Sequence, residues 1–229
     1  MTSGHTNFDP AAFIRDVNAS GGSYHRLDLG NGMIIEGEYD MVTYLPYYGF
    51  PENMSGMKAL DVGTASGFFA LEFERRGAEV TAIDIYDDSF FDAVSKTAGY
   101  KARYVQKNIY DLTEDFGQYD LVFCGSLLLH LRDIFGAVQC LKAVCKGQMI
   151  IATGINSDPL VDDIPMCEFV GQKADDGDYW VYWHPNMKGL AKMALRAGFS
   201  EVEEVSTFVL KGTKTFTTGS PHGVIKAHI

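Results

Sequence analysis

The chain has 229 residues and a hydrophobic fraction of 46%, which is enough for one domain with a continuous core. Thirty acidic residues against nineteen basic ones give a formal net charge of -11. That balance disfavours a nucleic-acid partner, because phosphate backbones are bound mainly through Lys and Arg. No apolar run reaches the ~18 residues of a membrane helix, and no signal peptide is visible at the start. We therefore expect a cytoplasmic protein.

The four cysteines predict neither a disulfide framework nor a metal site. None of them forms a C-x-x-C pair, and none has the spacing with histidine that is typical of zinc ligands. We expect reduced, mostly buried thiols, in keeping with the burial preference of cysteine, and no bound metal.

Strand-like and helical patterns alternate from about residue 58, which predicts a parallel α/β sheet. The first fifty or so residues are less regular. We therefore predict an N-terminal cap segment over 1–52 and the main domain over 53–229, in one compact unit. Strands are predicted at 57–63, 78–85, 103–112, within 119–131, at 148–154 and, as one or two strands, at 201–212. Helices are predicted at 66–77, 89–100, 133–147 and 185–199, with an irregular insertion or lid before the last one.

The turn after the first of these strands is the most specific segment. The strand delivers Asp61, and the chain then enters a helix through small residues in the pattern D-x-G-x-x-x-G. Small residues let the backbone approach a ligand closely, and a helix N-terminus offers unpaired N–H groups. The turn consists of Gly63, Thr64, Ala65, Ser66 and Gly67.

The acid at position 61 distinguishes this turn from one that binds a dinucleotide. Asp61 would repel a pyrophosphate, whereas it would attract the cationic sulfonium and ammonium end of S-adenosylmethionine. Asp84 follows Gly63 by 21 residues and ends the next strand, where a carboxylate accepts hydrogen bonds from ribose hydroxyls. The alternative is that Asp61 and Asp84 only cap turns. The order strand, loop, helix, strand and acid favours the ligand site.

The segments ALDVGTASG and VTAIDIYD resemble motifs I and II of class I S-adenosylmethionine-dependent methyltransferases, and the resemblance covers roughly residues 55–210. It implies a Rossmann-like α/β fold, with a seven-stranded, mostly parallel sheet flanked by helices, an N-terminal cap and an insertion before the last helix. It also implies S-adenosyl-L-methionine as cofactor. The further residues at cofactor positions of the family are Ile85, Asn108, Ile109, Cys124 and Gly125. The family more often has Asp at position 108, and the side-chain oxygen of Asn108 accepts the same bond.

A narrower resemblance involves SYHRLDLGNGMIIEGEYD and CGSLLLHLRD. Both are similar to segments of the branch that contains the tRNA wobble-uridine methyl and carboxymethyl transferases and their small-molecule relatives. The acidic composition favours the small-molecule relatives. The carboxymethyl transferases also hold the cofactor carboxylate with Lys or Arg, and this chain shows no clearly matching residue.

His130 is the candidate catalytic residue. It follows the fourth predicted strand, where the substrate pocket should open. Imidazole has an unperturbed pKa near ~6.5, which suits removal of a proton from an ammonium or a hydroxyl. The alternative is a structural role at the start of the helix that follows Arg132 and Asp133, and the sequence does not decide between the two.

The candidate substrate contacts are Tyr24, His25, Trp180, Trp183 and His184. Tyr24 and His25, in the cap, would contact the substrate or the cofactor carboxylate, or would have only a packing role. The aromatic cluster would form a wall for a flat or cationic substrate, or belong to the core. An acidic group in the insertion would attract an amine-bearing substrate or be simply solvated, and its spacing does not match a calcium-binding EF-hand. That group is Asp162, Asp163, Asp175, Asp176 and Asp178.

The sequence therefore predicts methyl transfer to N or O of a small metabolite, as in a biosynthetic pathway. The alternatives are an enzyme of this fold with another reaction (carboxymethyl transfer to tRNA, or cyclisation), a non-catalytic cofactor-binding partner subunit, and an NAD-dependent oxidoreductase. Acceptor sites vary with the cap, so no motif names the acceptor. Exposed apolar residues among the first fifty would allow a dimer.

Overall fold

The computed structural model describes residues 8–173 and 179–229, and the side chains of 172–180 lie outside that description. The helices are α1 (Pro10–Ala19), α2 (Phe68–Arg75), α3 (Ser89–Ala98), α4 (Ile134–Ala143) and α5 (Met187–Ala197). Four short strands near the N-terminus are β1 (Ser23–His25), β2 (Leu27–Asp28), β3 (Ile34–Ile35) and β4 (Gly37–Tyr39). The longer strands are β5 (Lys58–Val62), β6 (Glu79–Asp84), β7 (Arg103–Gln106), β8 (Tyr119–Gly125), β9 (Cys145–Gly154), β10 (Cys167–Lys173), β11 (Tyr179–Pro185), β12 (Glu201–Leu210) and β13 (Ser220–His228).

In the described part of the chain, one sheet of seven strands has the order β12-β13-β9-β8-β5-β6-β7. β13 runs antiparallel to both of its neighbours, and the other strands run parallel to one another. β5, β8 and β9 are almost continuously buried, because helices cover both faces of the sheet. The predicted fold class is confirmed.

Aromatic side chains fill the face of the sheet that carries α2 and the N-terminal segment. The rings of Phe69 and Phe123 have centroids 4.6 Å apart, and Phe50 packs on Phe73 at 4.9 Å. Tyr48 is 1% exposed and also contacts Phe123. The segment before residue 53 therefore shares this core with the sheet, while α4 and α5 cover the opposite face. The division of the chain at residue 52 stays a prediction.

Three predictions from the sequence patterns need correction. α4 ends at Ala143 rather than at Gly147, because Cys145 already pairs with Tyr119 of β8 and so begins β9. The insertion is not irregular throughout, since β10 and β11 form an antiparallel hairpin within it. The sequence patterns also missed β13, whose short apolar run is interrupted by polar residues. Among the described residues, no helix is long and apolar enough to cross a membrane.

The cap is fastened to the loop between β12 and β13. One carboxylate oxygen of Glu38 accepts hydrogen bonds from the backbone N–H groups of Thr215 at 2.8 Å and Phe216 at 3.0 Å. Lys214 reaches back in the other direction and donates from Nζ to the Gly21 carbonyl at 2.6 Å. Partial burial acts to raise the pKa of Glu38, but the backbone bonds and the charge of Lys214 together lower it. The ionised carboxylate thus holds the cap against this loop.

We expect Glu38→Gln to lower the free energy of unfolding by about 1 kcal/mol near neutral pH, because the charge-assisted part of these bonds is lost. The folded-state pKa of Glu38 lies below its usual value, so the contribution exists above the unfolded-state pKa and disappears as the pH falls through the folded-state pKa. The two proteins should therefore converge in acid. Urea unfolding at about pH 7 and about pH 3 measures both effects.

Glu36→Gln is the matched control for this prediction. The Glu36 side chain is 59% exposed and lies 3.8 Å from Arg26, so its removal should change stability by less than about 0.5 kcal/mol. Equal losses in the two variants, or a loss in Glu38→Gln that persists in acid, would contradict the proposed fastening.

Candidate active site

A cavity of about 740 Å³ opens at the carboxyl ends of β5, β6 and β8, where parallel sheets place their ligands. Phe90 of α3 lines the cavity, and Phe13 of α1 packs on Phe90 with the ring centroids 5.7 Å apart. Tyr24, Tyr39 and other residues of the cap form the opposite wall. The cavity therefore lies between the sheet and the N-terminal segment.

The loop after β5 requires small residues for steric reasons. Gly63 and Gly67 have φ of 76° and 90°, a region that L side chains rarely adopt. A Cβ added at Gly63 would also lie 2.9 Å from the side chain of Leu127. Ala65 has a φ of 49° and lines the cavity. No side chain caps α2 at Gly67, so this helix N-terminus presents backbone N–H groups without a capping side chain.

Asp61 is a buried carboxylate at the bottom of the cavity. It is 1% exposed, and Thr64 Oγ1 donates a hydrogen bond to its Oδ2 at 2.6 Å. Burial raises the pKa of Asp61 to about 7, although the bond from Thr64 opposes the rise. No described Lys or Arg forms a salt bridge with it. Such a group favours a cationic ligand, which would supply the missing charge.

Asp84 links the loop after β5 to the end of β6. Its Oδ2 accepts from the backbone N–H of Ala65 at 2.9 Å, and its Oδ1 accepts from that of Ile85 at 2.7 Å. A carboxylate offers about four lone-pair sites, so each oxygen keeps one for a ligand. Asp84 is half-buried and lines the cavity together with Ile85. The predicted pair of ribose contacts therefore remains compatible with this arrangement.

Asn108 and Ile109, which the resemblance implies lie beside the adenine, line the cavity after β7. Asn108 Oδ1 already accepts a hydrogen bond from the Tyr110 backbone N–H at 3.0 Å, where it begins a short 3-10 helix. Its oxygen retains one lone pair, so the bond to an adenine amino group stays a prediction. Ile109 is 4% exposed and offers an apolar surface beside it.

The exit of β8 contributes Gly125, Ser126 and His130 to the cavity. Ser126 has a φ of 50°, and its backbone N–H donates to the Ala152 carbonyl at 2.7 Å. Cys124 needs correction, because it does not reach the cavity: it is fully buried in the core on the other face of the sheet. Successive side chains of a strand point to opposite faces, and in β8 Phe123 lines the cavity while Cys124 packs on the other side of the sheet.

The cap contacts the loop after β5 directly. The backbone N–H of His25 donates to Ser66 Oγ at 2.9 Å, and both residues line the cavity. The His25 ring is 5% exposed, and burial lowers its pKa to about 3, so it is neutral at physiological pH. Tyr24 beside it is 40% exposed and also lines the cavity.

The described residues of the aromatic cluster near residue 183 do not form the substrate wall that the sequence suggested. Trp183 and His184 are not among the residues that line the cavity. Trp183 Nε1 donates instead to the Arg132 carbonyl at 3.0 Å, while the His184 ring lies against Gly154. The side chain of Trp180 lies outside the described residues. In the acidic group, Asp162 and Asp163 do not line the cavity, and the remaining members, Asp175, Asp176 and Asp178, lie outside the described residues.

Several lining residues escaped the sequence patterns. They are separated along the chain, and nothing in their local sequence distinguishes them from core residues. These are Tyr39, Met41, Phe69, Phe123, Leu127 and Leu210. Thr64 and Gly67, in contrast, act through the loop rather than as lining residues. No group of three His, Cys, Asp or Glu residues in the described part of the chain could hold a metal ion.

Residues 59–148 match the family model of a methyltransferase domain. A ubiquinone biosynthesis O-methyltransferase of Psychrobacter arcticus is 29% identical over 180 residues, which cover 71% of this chain and 66% of that protein. A protein of the same name from Marinobacter nauticus is 34% identical over 116 residues, or 47% of this chain and 48% of the relative. These matches support a class I S-adenosylmethionine-dependent methyltransferase. The matches span between about half and two thirds of these curated relatives.

Solved structures agree on the fold of this chain. The N-terminal domain of EvdMO1 with S-adenosylhomocysteine bound has a TM-score of 0.70, at 17% identity and 99% coverage of each chain. The 1,6-didemethyltoxoflavin-N1-methyltransferase of Burkholderia thailandensis has a TM-score of 0.58, at 18% identity over 76% of this chain and 71% of that one. The first similarity extends over the cap as well as over the sheet.

At about pH 8 we expect the ligand-free Asp61→Asn variant to be more stable than the parent protein by about 1–3 kcal/mol. Folding raises the pKa of Asp61, so its ionisation opposes folding above the unfolded-state pKa, and the opposition reaches its full size above about pH 7. The same variant should lose most of the stabilisation that S-adenosylmethionine gives the parent, because the balancing anion is gone. Thermal unfolding with and without the ligand measures both changes.

Asp84→Asn is the matched control. Asp84 is half-buried and already accepts two backbone hydrogen bonds, so its replacement should give no gain in stability. It should weaken ligand binding by about 1–3 kcal/mol through loss of charge-assisted bonds. An Asp61→Asn variant that binds the ligand as the parent does would remove Asp61 from the site.

Proposed function

We propose that this chain transfers a methyl group from S-adenosylmethionine to a hydroxyl oxygen of an uncharged small molecule. The observation that carries the proposal is that Asp61, Asp84 and His130 all face one continuous cavity. The methyltransferase domain and the ubiquinone biosynthesis O-methyltransferases among the relatives support the reaction class, with oxygen preferred over nitrogen.

The residues present fit the cofactor. Asp61 is a buried anion without a described cation, which suits the cationic end, and Asp84 keeps one acceptor site on each oxygen for ribose hydroxyls. Asn108 and Ile109 would hold the adenine. When bound, S-adenosylmethionine supplies a methyl group that its sulfonium activates.

In this proposal His130, which lines the cavity, takes the proton of the acceptor. In the overall reaction the acceptor oxygen gains the methyl carbon and loses its proton, and S-adenosylhomocysteine is the second product. His25 is the other imidazole that lines the cavity, but burial lowers its pKa to about 3 and makes it a weak base. We therefore assign His25 to hydrogen bonding and His130 to proton transfer.

We take as the acceptor half the part of the cavity lined by apolar and aromatic side chains outside the loop residues and Asp84. These are Tyr39, Met41, Phe123, Leu127 and Leu210, and none of them is charged. Lys107 is the only Lys or Arg among the described lining residues, and its ammonium lies 5.2 Å from the centre of the Phe116 ring on the adenine side. A buried carboxylate or phosphate would lack a partner here, at a cost of several kcal/mol. An uncharged hydroxyl compound avoids that cost.

His130→Ala should lower kcat for methyl transfer by about 10²- to 10⁴-fold, the usual contribution of a positioned base. The affinity for S-adenosylhomocysteine, measured by calorimetry, should stay within about twofold. The measurement is transfer of labelled methyl from S-adenosylmethionine under saturating acceptor. Equal losses of kcat and of cofactor affinity would favour the structural role of His130.

Matched pairs of acceptors test the uncharged wall. Catechol against 3,4-dihydroxybenzoate, and a methyl hexoside against the corresponding uronic acid, differ by one carboxylate each. We expect the uncharged member of an accepted pair to have a kcat/KM at least ~10-fold higher. Burying the unpaired carboxylate of the other member would raise the barrier by about 1.4 kcal/mol or more. Preference for the anionic member would contradict the proposal. Transfer to an amine instead would support the earlier prediction of an amine-bearing acceptor.

A further inference from the structure

The hairpin of β10 and β11 is hydrogen-bonded to the segment that carries His130. Trp183 Nε1 donates to the backbone carbonyl of Arg132 at 3.0 Å. The side chain of Arg132 returns the contact, since its Nε donates to the Tyr182 hydroxyl at 3.1 Å. Two successive residues of β11 therefore hold one residue of the segment, one through its backbone and one through its side chain.

His130 lies two residues before this contact, in a tight turn. Its backbone N–H donates to the Leu127 carbonyl at 2.9 Å, within a short 3-10 helix from Leu128 to His130. The other end of the turn is fixed at Ser126, whose backbone N–H donates to Ala152 at 2.7 Å. The backbone on either side of His130 is thus anchored, to the sheet at Ser126 and to the hairpin at Arg132.

The base of the hairpin is hydrogen-bonded to the start of α5. Asn186, at 1% exposure, begins this helix, and its Oδ1 accepts from the Gly189 N–H at 2.8 Å. Its Nδ2 donates to the carbonyls of Val161 at 2.8 Å and Ile164 at 2.7 Å, in the segment that leads into β10. A satisfied buried amide of this kind holds the base of the hairpin in one position.

We infer that Trp183 is a positioning residue for His130, acting through the carbonyl of Arg132. The inference rests on the proposed proton transfer by His130. It explains why an aromatic side chain near the site makes no contact with the cavity, and it gives the inserted hairpin a role in the reaction. A base must be held within hydrogen-bonding reach of the acceptor, and small displacements cost much of the rate.

Trp183→Phe tests the inference, because it keeps an aromatic ring and removes the N–H donor. We expect kcat to fall about 10- to 100-fold, with the KM of the acceptor and the affinity for S-adenosylhomocysteine changed by less than about twofold. Tyr182→Phe should give a smaller loss in the same direction. Phe169→Leu is the control, since Phe169 contacts the Trp183 ring at 5.1 Å but is 56% exposed on the hairpin.

The decisive measurement is the double variant with His130→Ala. A positioning residue loses its effect when the residue it positions is gone, so Trp183→Phe should not lower kcat further in that background. Independent, multiplicative losses would overturn the inference. A His130→Ala variant with the parent's kcat would overturn it too, while methyl transfer by the parent would leave the proposed function standing.

A spectroscopic measurement gives a readout without turnover. In ¹³C–¹H spectra of the imidazole groups, the His130 signal is identified by its loss in His130→Ala. We expect it to shift or broaden in Trp183→Phe, while the signal of His25, which lies in the cap, stays in place. An unchanged His130 signal in a folded Trp183→Phe protein would overturn the inference even if no acceptor were found.

Discussion

A carboxylate buried at the end of a central parallel strand constrains this site more than any other group. Asp61 lies where helices and neighbouring strands exclude water, and Thr64 is its one described side-chain hydrogen-bond donor. Burial of the ionised carboxylate opposes folding, because it raises the pKa of Asp61. Hydrogen bonds from Thr64 and from the Ala70 backbone oppose the rise in the pKa of Asp61, whereas the charge of Asp84 adds to it. Asp84 also ties Ala65 of the loop to the next strand. Much of the cofactor half of the cavity follows from these few residues.

This half could be predicted from sequence because its parts are local. Asp61, the small residues that follow and Asp84 lie within one strand–loop–helix–strand unit, whose geometry is general to parallel sheets. The prediction for Cys124 was wrong because closeness along the chain does not decide which face of a strand a side chain occupies. Cys124 is adjacent to lining residues along the chain, yet the alternation of side chains in β8 buries it on the other face.

The acceptor half could not be predicted in the same way, because its residues meet only in the folded chain. Tyr39 comes from the cap and Leu210 from the end of β12, and the loop after β12 is held to the cap by Glu38. The prediction for the aromatic cluster before α5 failed for a related reason. Its aromatic residues suggested a wall for the substrate. In the folded chain, the indole N–H of Trp183 instead donates to the backbone near His130.

The two halves of the cavity therefore differ in how they can change. Alteration of the cofactor half disturbs a buried charge and a strained loop that depend on each other. The acceptor half uses uncharged side chains from distant segments, so single substitutions there reshape the wall without exposing an unpaired charge. His25 belongs to both, since its backbone N–H binds Ser66 of the loop while its neutral ring faces the cavity. A fold built in this way can keep one cofactor site while its acceptors diverge, so the wall of the acceptor half, rather than likeness to methyltransferases, identifies the acceptor.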